Sequence, residues 1–328
     1  MAKQTWRVMV PPMRHVLERL AGSSERARRL MALAGRELSG AADRVSWHAN
    51  AAGMYAGSYF GEGRDPSGDR GGLSGYATYD RVSSNADVSA YLIWRNFRGA
   101  KRVLDVGCAK GYLVEALREL GVDAEGCDVS EFAVEHPAEG ARGHVRLGNL
   151  MEGLPWPDEA FDVLSVLETL EHLPPARVPE ALRELRRVSR GFLYATIPSF
   201  GPSDGPGPAG FFDGKVLPAR LDYYVSLGPD YDGPVPFEDL YRDSEGNPIE
   251  GHLTIASYRW WTRHFEEAGF LRRPDLEERI YRDIEPAGLA VAWNVYVMAA
   301  GSPDERIAEP RSPGKSLVEL GLAHPLFA

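Results

Sequence analysis

From Lys101 onward, short apolar runs alternate with amphipathic segments, and this alternation restricts the chain to few architectures. The strand-like runs are Arg102–Val106, Ala124–Asp128, His144–Gly148, Phe161–Leu167, Phe192–Ile197, Leu271–Tyr281 and Asn294–Ala299. Helical periodicity marks Leu113–Leu120, a short piece at Glu131–Val134, Val178–Val188 and Tyr258–Ala268. The central runs are apolar on successive residues, as strands covered on both faces are. The pattern predicts an α/β fold, a mostly parallel sheet of seven strands with helices on both sides.

The first strand and helix are joined by RVLDVGCAKGY, Arg102–Tyr112. A strand, a turn of small residues and a helix N-terminus bring bare backbone to a polar ligand. A nicotinamide-dinucleotide fingerprint requires G-x-G-x-x-G. Counting from Gly107, the third position is Ala109 and the sixth is Tyr112, so the dinucleotide reading, and with it a dehydrogenase, is poor.

Composition narrows the partners. A formal net charge of −10 argues against a nucleic-acid backbone as the main partner. The two cysteines, Cys108 and Cys127, allow no disulfide framework and no thiolate zinc site, which fits a reducing compartment. The N-terminus lacks the apolar core of a signal peptide, and no segment has the roughly 20 apolar residues that span a bilayer. A cytoplasmic protein is expected, with no membrane partner and with a homo-oligomer left open.

The spacing Asp105, Gly107, Gly111 resembles the acidic-x-Gly-x-Gly-x-Gly loop of class I S-adenosylmethionine-dependent methyltransferases, with Ala109 in place of the middle glycine. Three later motifs follow in order: the acid Asp128 in AEGCDVS, Asn149 in RLGNL, and LPWPDEAFDVLSVLETLEHL with its Phe161-Asp162 start and its Glu-x-x-Glu-His exit. The resemblance covers roughly Lys101 to Ala300 and is nearest to bacterial enzymes of glycan or natural-product pathways. It implies a Rossmann-like doubly wound fold and S-adenosyl-L-methionine as cofactor. It further implies that Gly107 and Gly111 admit the ligand where a Cβ would intrude, and that Asp128 accepts from both ribose hydroxyls. Asn149 would accept from the adenine amine through its side-chain carbonyl. Cys108, Ala109, Val129 and Leu150 would lie along the cofactor, with Glu168 on its side and Tyr79 at the methionine end, where Tyr76 and Arg81 are further candidates.

The acceptor belongs at the carboxyl ends of the strands. There His252, His172 and Glu171 are the candidate catalytic residues, since removing a hydroxyl proton suits a histidine of near-neutral pKa. His252 precedes the helix at Tyr258 and is expected at the mouth of the site. Each histidine also has a plain structural reading, packed in a loop or capping a turn. Tyr223, Tyr224, Tyr231, Phe237 and Tyr241 could wall the acceptor or form a small core of their own, and Trp260 and Trp261 read as core. The acids Asp204, Asp213, Asp222, Asp230 and Asp232 show no ligand spacing, so no metal is expected. The expected reaction is O-methylation of a small polar acceptor, a sugar or secondary metabolite. N-methylation of an amino sugar is the alternative, and a non-catalytic cofactor-binding assembly partner is the alternative of another class.

Three parts are expected. Residues 1–98 form an N-terminal extension, with two amphipathic helices within Pro12–Leu38 and an aromatic lid after them. Residues 99–300 form the cofactor domain, with 199–251 inserted on the acceptor side. Residues 301–328 form a tail with one short helix near Lys315–Leu322.

Overall fold

The computed structural model describes residues 55–57, 59–61, 79–200, 216, 220, 223–224, 232–242, 248, 251–289, 294–312 and 314–322. The two helices expected within Pro12–Leu38 lie outside these residues, as do Tyr76 and Tyr231.

Seven strands form one sheet: β1 (Arg102–Val106), β2 (Asp123–Asp128), β3 (Val145–Leu147), β4 (Phe161–Leu167), β5 (Ser189–Thr196), β8 (Phe270–Arg272) and β9 (Val295–Ala300). Their order is β3-β2-β1-β4-β5-β9-β8. All pairs from β3 to β5 are parallel, and β9 runs antiparallel to both β5 and β8. The order reverses between β1 and β4, which is where doubly wound sheets open a crevice for a ligand. A small second pairing, β6 (Ser199–Phe200) with β7 (Ala256–Ser257), ties the chain after β5 to the chain returning from the insertion.

Successive residues of one strand enter opposite layers. Val103, Val163, Phe192 and Val297 join one apolar cluster with Leu92, Val114, Leu117 and Ile280. Their neighbours Leu104, Leu164, Leu193 and Met298 join another with Leu182, Leu185, Trp261 and Phe265. Trp260 and Trp261 are accordingly core residues. The helices are α1 (Ala86–Asn96), α2 (Tyr112–Glu119) and α6 (Pro274–Ile284) on the first layer, with α4 (Val178–Val188) and α5 (Tyr258–Glu267) on the second; α3 (Glu131–Glu135) is a single turn after β2. Helix α5 starts at Ser257, whose side chain accepts from the Trp260 amide at 2.9 Å.

Three expectations need correction. Leu271–Tyr281 is not a strand. Only Phe270–Arg272 pairs in the sheet, and Pro274 at the first helical position opens α6. Its buried Leu276, Ile280 and Ile284 recur every fourth residue, a helical rather than an alternating spacing. Helix α1 went unforeseen. It buries Val88, Leu92 and Ile93 against the sheet. The C-terminal segment is not a free tail. The Gly99 amide donates to Ile307 O, the Arg98 amide to Glu309 O and the Arg311 amide to Arg95 O, so it lies along the end of α1 with Ile307 and Leu317 buried. Residues 317–321 form a turn, with Ser316 and Glu319 bonded to each other, in place of the expected helix.

Within the insertion, Val216, Tyr224, Val235 and Leu240 pack with Ile255 into a separate small core, where the Tyr224 hydroxyl donates to Asp239. Phe237 packs against that core, whereas Tyr223 and Tyr241 are exposed. Of the two readings of these aromatics, the small core is the one the described residues form. No described helix is long and apolar enough to cross a membrane.

Candidate functional site

The cavity of interest opens at the carboxyl ends of β1, β2 and β4, and is lined from the β1 side by Asp105, Gly107, Cys108 and Ala109. The loop is held by its own backbone. The Gly107 and Cys108 amides both donate to Cys127 O, at 2.8 and 3.0 Å, and the Gly111 amide donates to Cys108 O at 2.8 Å. Ala109 adopts φ +48°, a left-handed conformation that costs a non-glycine residue about 1–2 kcal/mol. Glu168, also lining the cavity at the end of β4, has the same φ of +48°. Backbone strain on two sides of one cavity is where a functional constraint concentrates.

Asp128 ends β2 and crosses to this loop. Its Oδ2 accepts from the Ala109 amide and its Oδ1 from the Ser130 amide, both at 2.8 Å. The Val129 amide also bonds this carboxylate, and because two carboxylate oxygens offer about four acceptor directions, the pair can still receive a diol while bracing the loop. Burial raises the Asp128 carboxyl above its ordinary value, against the pull of these amides. Burial also pushes Asp105 up to about 7, and the nearby Asp128 adds to it. Asp105, Asp128 and Glu168 line the cavity while no described lining residue is Lys or Arg, a charge balance that suits a cationic ligand.

Other predicted residues fall in place unevenly. Val129, Asn149, Leu150 and Tyr79 line the same cavity. The Asn149 Oδ1, however, accepts from the Met151 amide at 2.9 Å and its amide nitrogen donates to Glu152 at 3.1 Å, so the side chain first of all builds the turn after β3. Gly111 does not line the cavity; it caps α2 at φ +78°, and a Cβ there would fall 2.7 Å from Val145 Cγ1. A Cβ on Gly107 would fall 2.3 Å from Thr169 Oγ1. Both glycines therefore have protein neighbours that leave no room for a Cβ, and Gly107 also lines the cavity. Arg81 does not reach the cavity, because Asp87, Glu115 and Glu119 hold its guanidinium.

The three catalytic candidates come together. Glu171 and His172 sit in the 3-10 turn Leu170–His172 after β4. The Leu253 and Thr254 amides both donate to Glu171 O at 2.9 Å, and Thr254 Oγ1 donates to Leu173 O. His252 is thereby stitched against that turn, its Nε2 3.8 Å from Glu171 Oε1 and its ring edge-on to His172, with centroids 4.9 Å apart. The order of access differs from expectation. His172 lines the cavity, while His252 (6 % exposed) and Glu171 (0 % exposed) stand behind it, because the paired amides draw the His252 segment inward.

The N-terminal aromatics supply site residues that the motifs did not single out. Tyr55, Tyr59 and Phe60 line the cavity opposite the glycine loop. The Tyr55 carbonyl accepts from Ser130 Oγ at 2.6 Å, and its ring lies edge-on to His172 with centroids 5.8 Å apart. Phe60 stacks on Phe132 and meets Tyr79. Their crowding of aromatics is the one signal of them in the sequence, and it reads there as a lid.

A family model described as a methyltransferase domain matches residues 103–191, the segment from β1 to the start of β5. Residues 103–191 carry a class I S-adenosylmethionine-dependent methyltransferase domain. A probable methyltransferase of Aspergillus luteorubrus is 29% identical over 140 residues, which are 38% of this chain and 49% of that protein. A ubiquinone biosynthesis O-methyltransferase of Paraburkholderia phymatum is 32% identical over 111 residues, 30% of this chain and 44% of that one. The chain thus spans about half the length of the curated relatives it matches. Among solved structures, a magnesium protoporphyrin IX methyltransferase of Synechocystis PCC 6803 with bound S-adenosylhomocysteine aligns with a TM-score of 0.39 and 13% identity, covering 68% of this chain and 86% of that one.

The cofactor of a methyltransferase domain of this class is S-adenosylmethionine. The residues present fit it: a twofold carboxylate acceptor for a ribose diol at Asp128 and an acidic lining, without Lys or Arg among the described residues, for a sulfonium and an ammonium group. On that assignment, Asp128→Ala is expected to weaken S-adenosylhomocysteine binding by about 1.5–3 kcal/mol, the range for hydrogen bonds to a charged group. Calorimetric titration checks it, and unchanged affinity would take Asp128 out of the ribose site.

Proposed function

We propose that this protein is a cytoplasmic bacterial O-methyltransferase that moves the methyl group of S-adenosylmethionine to a hydroxyl of a small polar acceptor, a sugar or secondary metabolite. The observation that supports it is the buried Glu171–His252–His172 cluster, which presents His172 to the cavity that Asp105, Asp128 and the glycine loop shape for the cofactor. The reaction is an in-line displacement. The acceptor oxygen forms a bond to the methyl carbon, the carbon–sulfur bond breaks with its electrons returning to sulfur, and the hydroxyl proton leaves toward the cluster. An amine would reach the same methyl without a proton acceptor of this kind once neutral, so a histidine–carboxylate cluster favours oxygen. That a relative is named a ubiquinone biosynthesis O-methyltransferase is in keeping with an oxygen acceptor.

In this reading residues 99–300 form the catalytic domain, the aromatics of residues 1–98 cover the cofactor edge, and residues 199–251 border the acceptor side. The test is transfer of labelled methyl from S-adenosylmethionine to a panel of matched hydroxyl and amino compounds. Label is expected on oxygen. His172→Ala should lower kcat by about a hundredfold or more, within the range of proton-transfer catalysis, with S-adenosylhomocysteine affinity unchanged. Label on amines alone would overturn the O-methyl assignment.

A further inference from the structure

We infer that Glu171, His172 and His252 form a binding site for one divalent transition-metal ion of the zinc type, placed at the edge of the cofactor cavity. The inference deepens the O-methyl-transfer reading and rests on it for its role, though not for its geometry. It also departs from the sequence reading, in which no metal is expected.

Each of the three side chains offers one ligand atom, and these atoms all lie within 4.8 Å of one another. An ion bonded to nitrogen and oxygen at about 2.1 Å in tetrahedral geometry spaces its ligands about 3.4 Å apart. Small rotations of side chains already 3.8 Å apart, as His252 Nε2 and Glu171 Oε1 are, would close that gap. The donor set selects the ion. Two imidazoles and one carboxylate suit zinc, cobalt or iron, whereas magnesium and calcium prefer oxygen ligands throughout.

The site is built rather than incidental. Its ligands come from two distant segments, and the Leu253 and Thr254 amides bind both to the Glu171 carbonyl while Thr254 Oγ1 binds Leu173 O. This backbone stitching fixes the His252 segment before any ion arrives, which is how a pre-formed site lowers its cost of ordering. Three protein ligands leave a fourth position open, the arrangement of catalytic rather than structural zinc. On the side of His172 that position faces the cavity, so the acceptor would be drawn in through an oxygen.

The test strips the full-length protein with a chelator, dialyses it and titrates it with cobalt(II) or zinc(II) against a chromophoric competitor. One equivalent is expected to bind, and cobalt should show visible bands of low-symmetry coordination. His172→Ala, His252→Ala and Glu171→Gln should each weaken binding at least tenfold, while His136→Ala, on the exposed end of α3, should not. No stoichiometric binding by the unsubstituted protein overturns the site. So does binding that all three substitutions leave unchanged, since the ion is then held elsewhere. Full methyl transfer by the stripped protein likewise removes the ion while leaving the O-methyl reading intact. Stoichiometric, substitution-sensitive binding with no transfer to any hydroxyl supports the site and sinks the functional reading instead.

Discussion

In the ligand-free protein, the contribution of Asp105 to stability should fall as pH rises from about 4 to about 7 and level off above. Its carboxyl is raised to about 7 in the fold by burial, with Asp128 adding to the effect, against about 3.9 in an unfolded chain. Between those values the folded state holds a proton that the unfolded state has released. Stability then decreases with pH, because it rises with pH only where the unfolded state binds more protons. Three pH units correspond to a cost of roughly 4 kcal/mol at pH 8 relative to pH 4. Arginine-paired acids such as Glu119 and Glu184, lowered by Arg81 and Arg187 respectively, contribute in the opposite sense and lose stability in acid. The comparison with Asp105→Asn cancels them: the variant should gain on the parent protein steadily between pH 5 and pH 8 in urea unfolding. The cationic cofactor selects the ionised carboxyl, so its affinity should climb through pH 7 and fall by up to about tenfold per unit below it. A pH-independent difference between the two proteins would mean that Asp105 is ionised throughout.

The cofactor half was legible because its chemistry is carried by local sequence. Arg102–Val106, Phe161–Leu167 and Val178–Val188 appear in the structure with the bounds their patterns indicated. Asp105 and Asp128 could be placed because they lie at the carboxyl ends of β1 and β2, and Asn149 because it follows β3 by two residues, where a strand end narrows the position of a side chain. The acceptor half was less legible for a physical reason. Which of Glu171, His172 and His252 faces the cavity depends on two amides from residues 253–254 reaching Glu171 O, a contact between segments that no local pattern encodes. Helix α6 is hard to see in the sequence because the apolar pairs Phe270-Leu271 and Ile280-Tyr281 flank it like strand ends, while the Pro274 between them starts a helix. Helix α1 is poorly marked in the sequence because its apolar face is shared with Ser89 and Asn96, which are buried with it.

The glycine loop gives the sharpest divergence between what the sequence suggests and what the fold imposes. Gly107→Val reads from the sequence as a substitution that fills ligand space and leaves the fold untouched. In the structure the new Cβ meets Thr169, 2.3 Å from Oγ1 and 2.6 Å from Cγ2, at a residue whose φ is +79°. Thr169 cannot simply swing away, since its hydroxyl donates to Leu167 O at 2.9 Å and lies 3.3 Å from Val106 O. Left-handed backbone costs a β-branched residue about 1–2 kcal/mol or more, and forcing extra atoms into a packed contact adds about 1–3 kcal/mol. Gly107→Val should therefore destabilise the protein by about 3 kcal/mol or more, with cofactor binding lost as a consequence. Gly107→Ala separates the two contributions. In a Thr169→Ala background the clash with Oγ1 and Cγ2 disappears while the backbone strain stays, so the cost of Gly107→Ala should drop by about 1 kcal/mol or more, within the usual range of couplings between contacting residues. Urea unfolding of the four proteins completes the cycle. Equal costs in both backgrounds, together with binding lost at full stability, would return Gly107 to the cofactor and make the contact with Thr169 incidental.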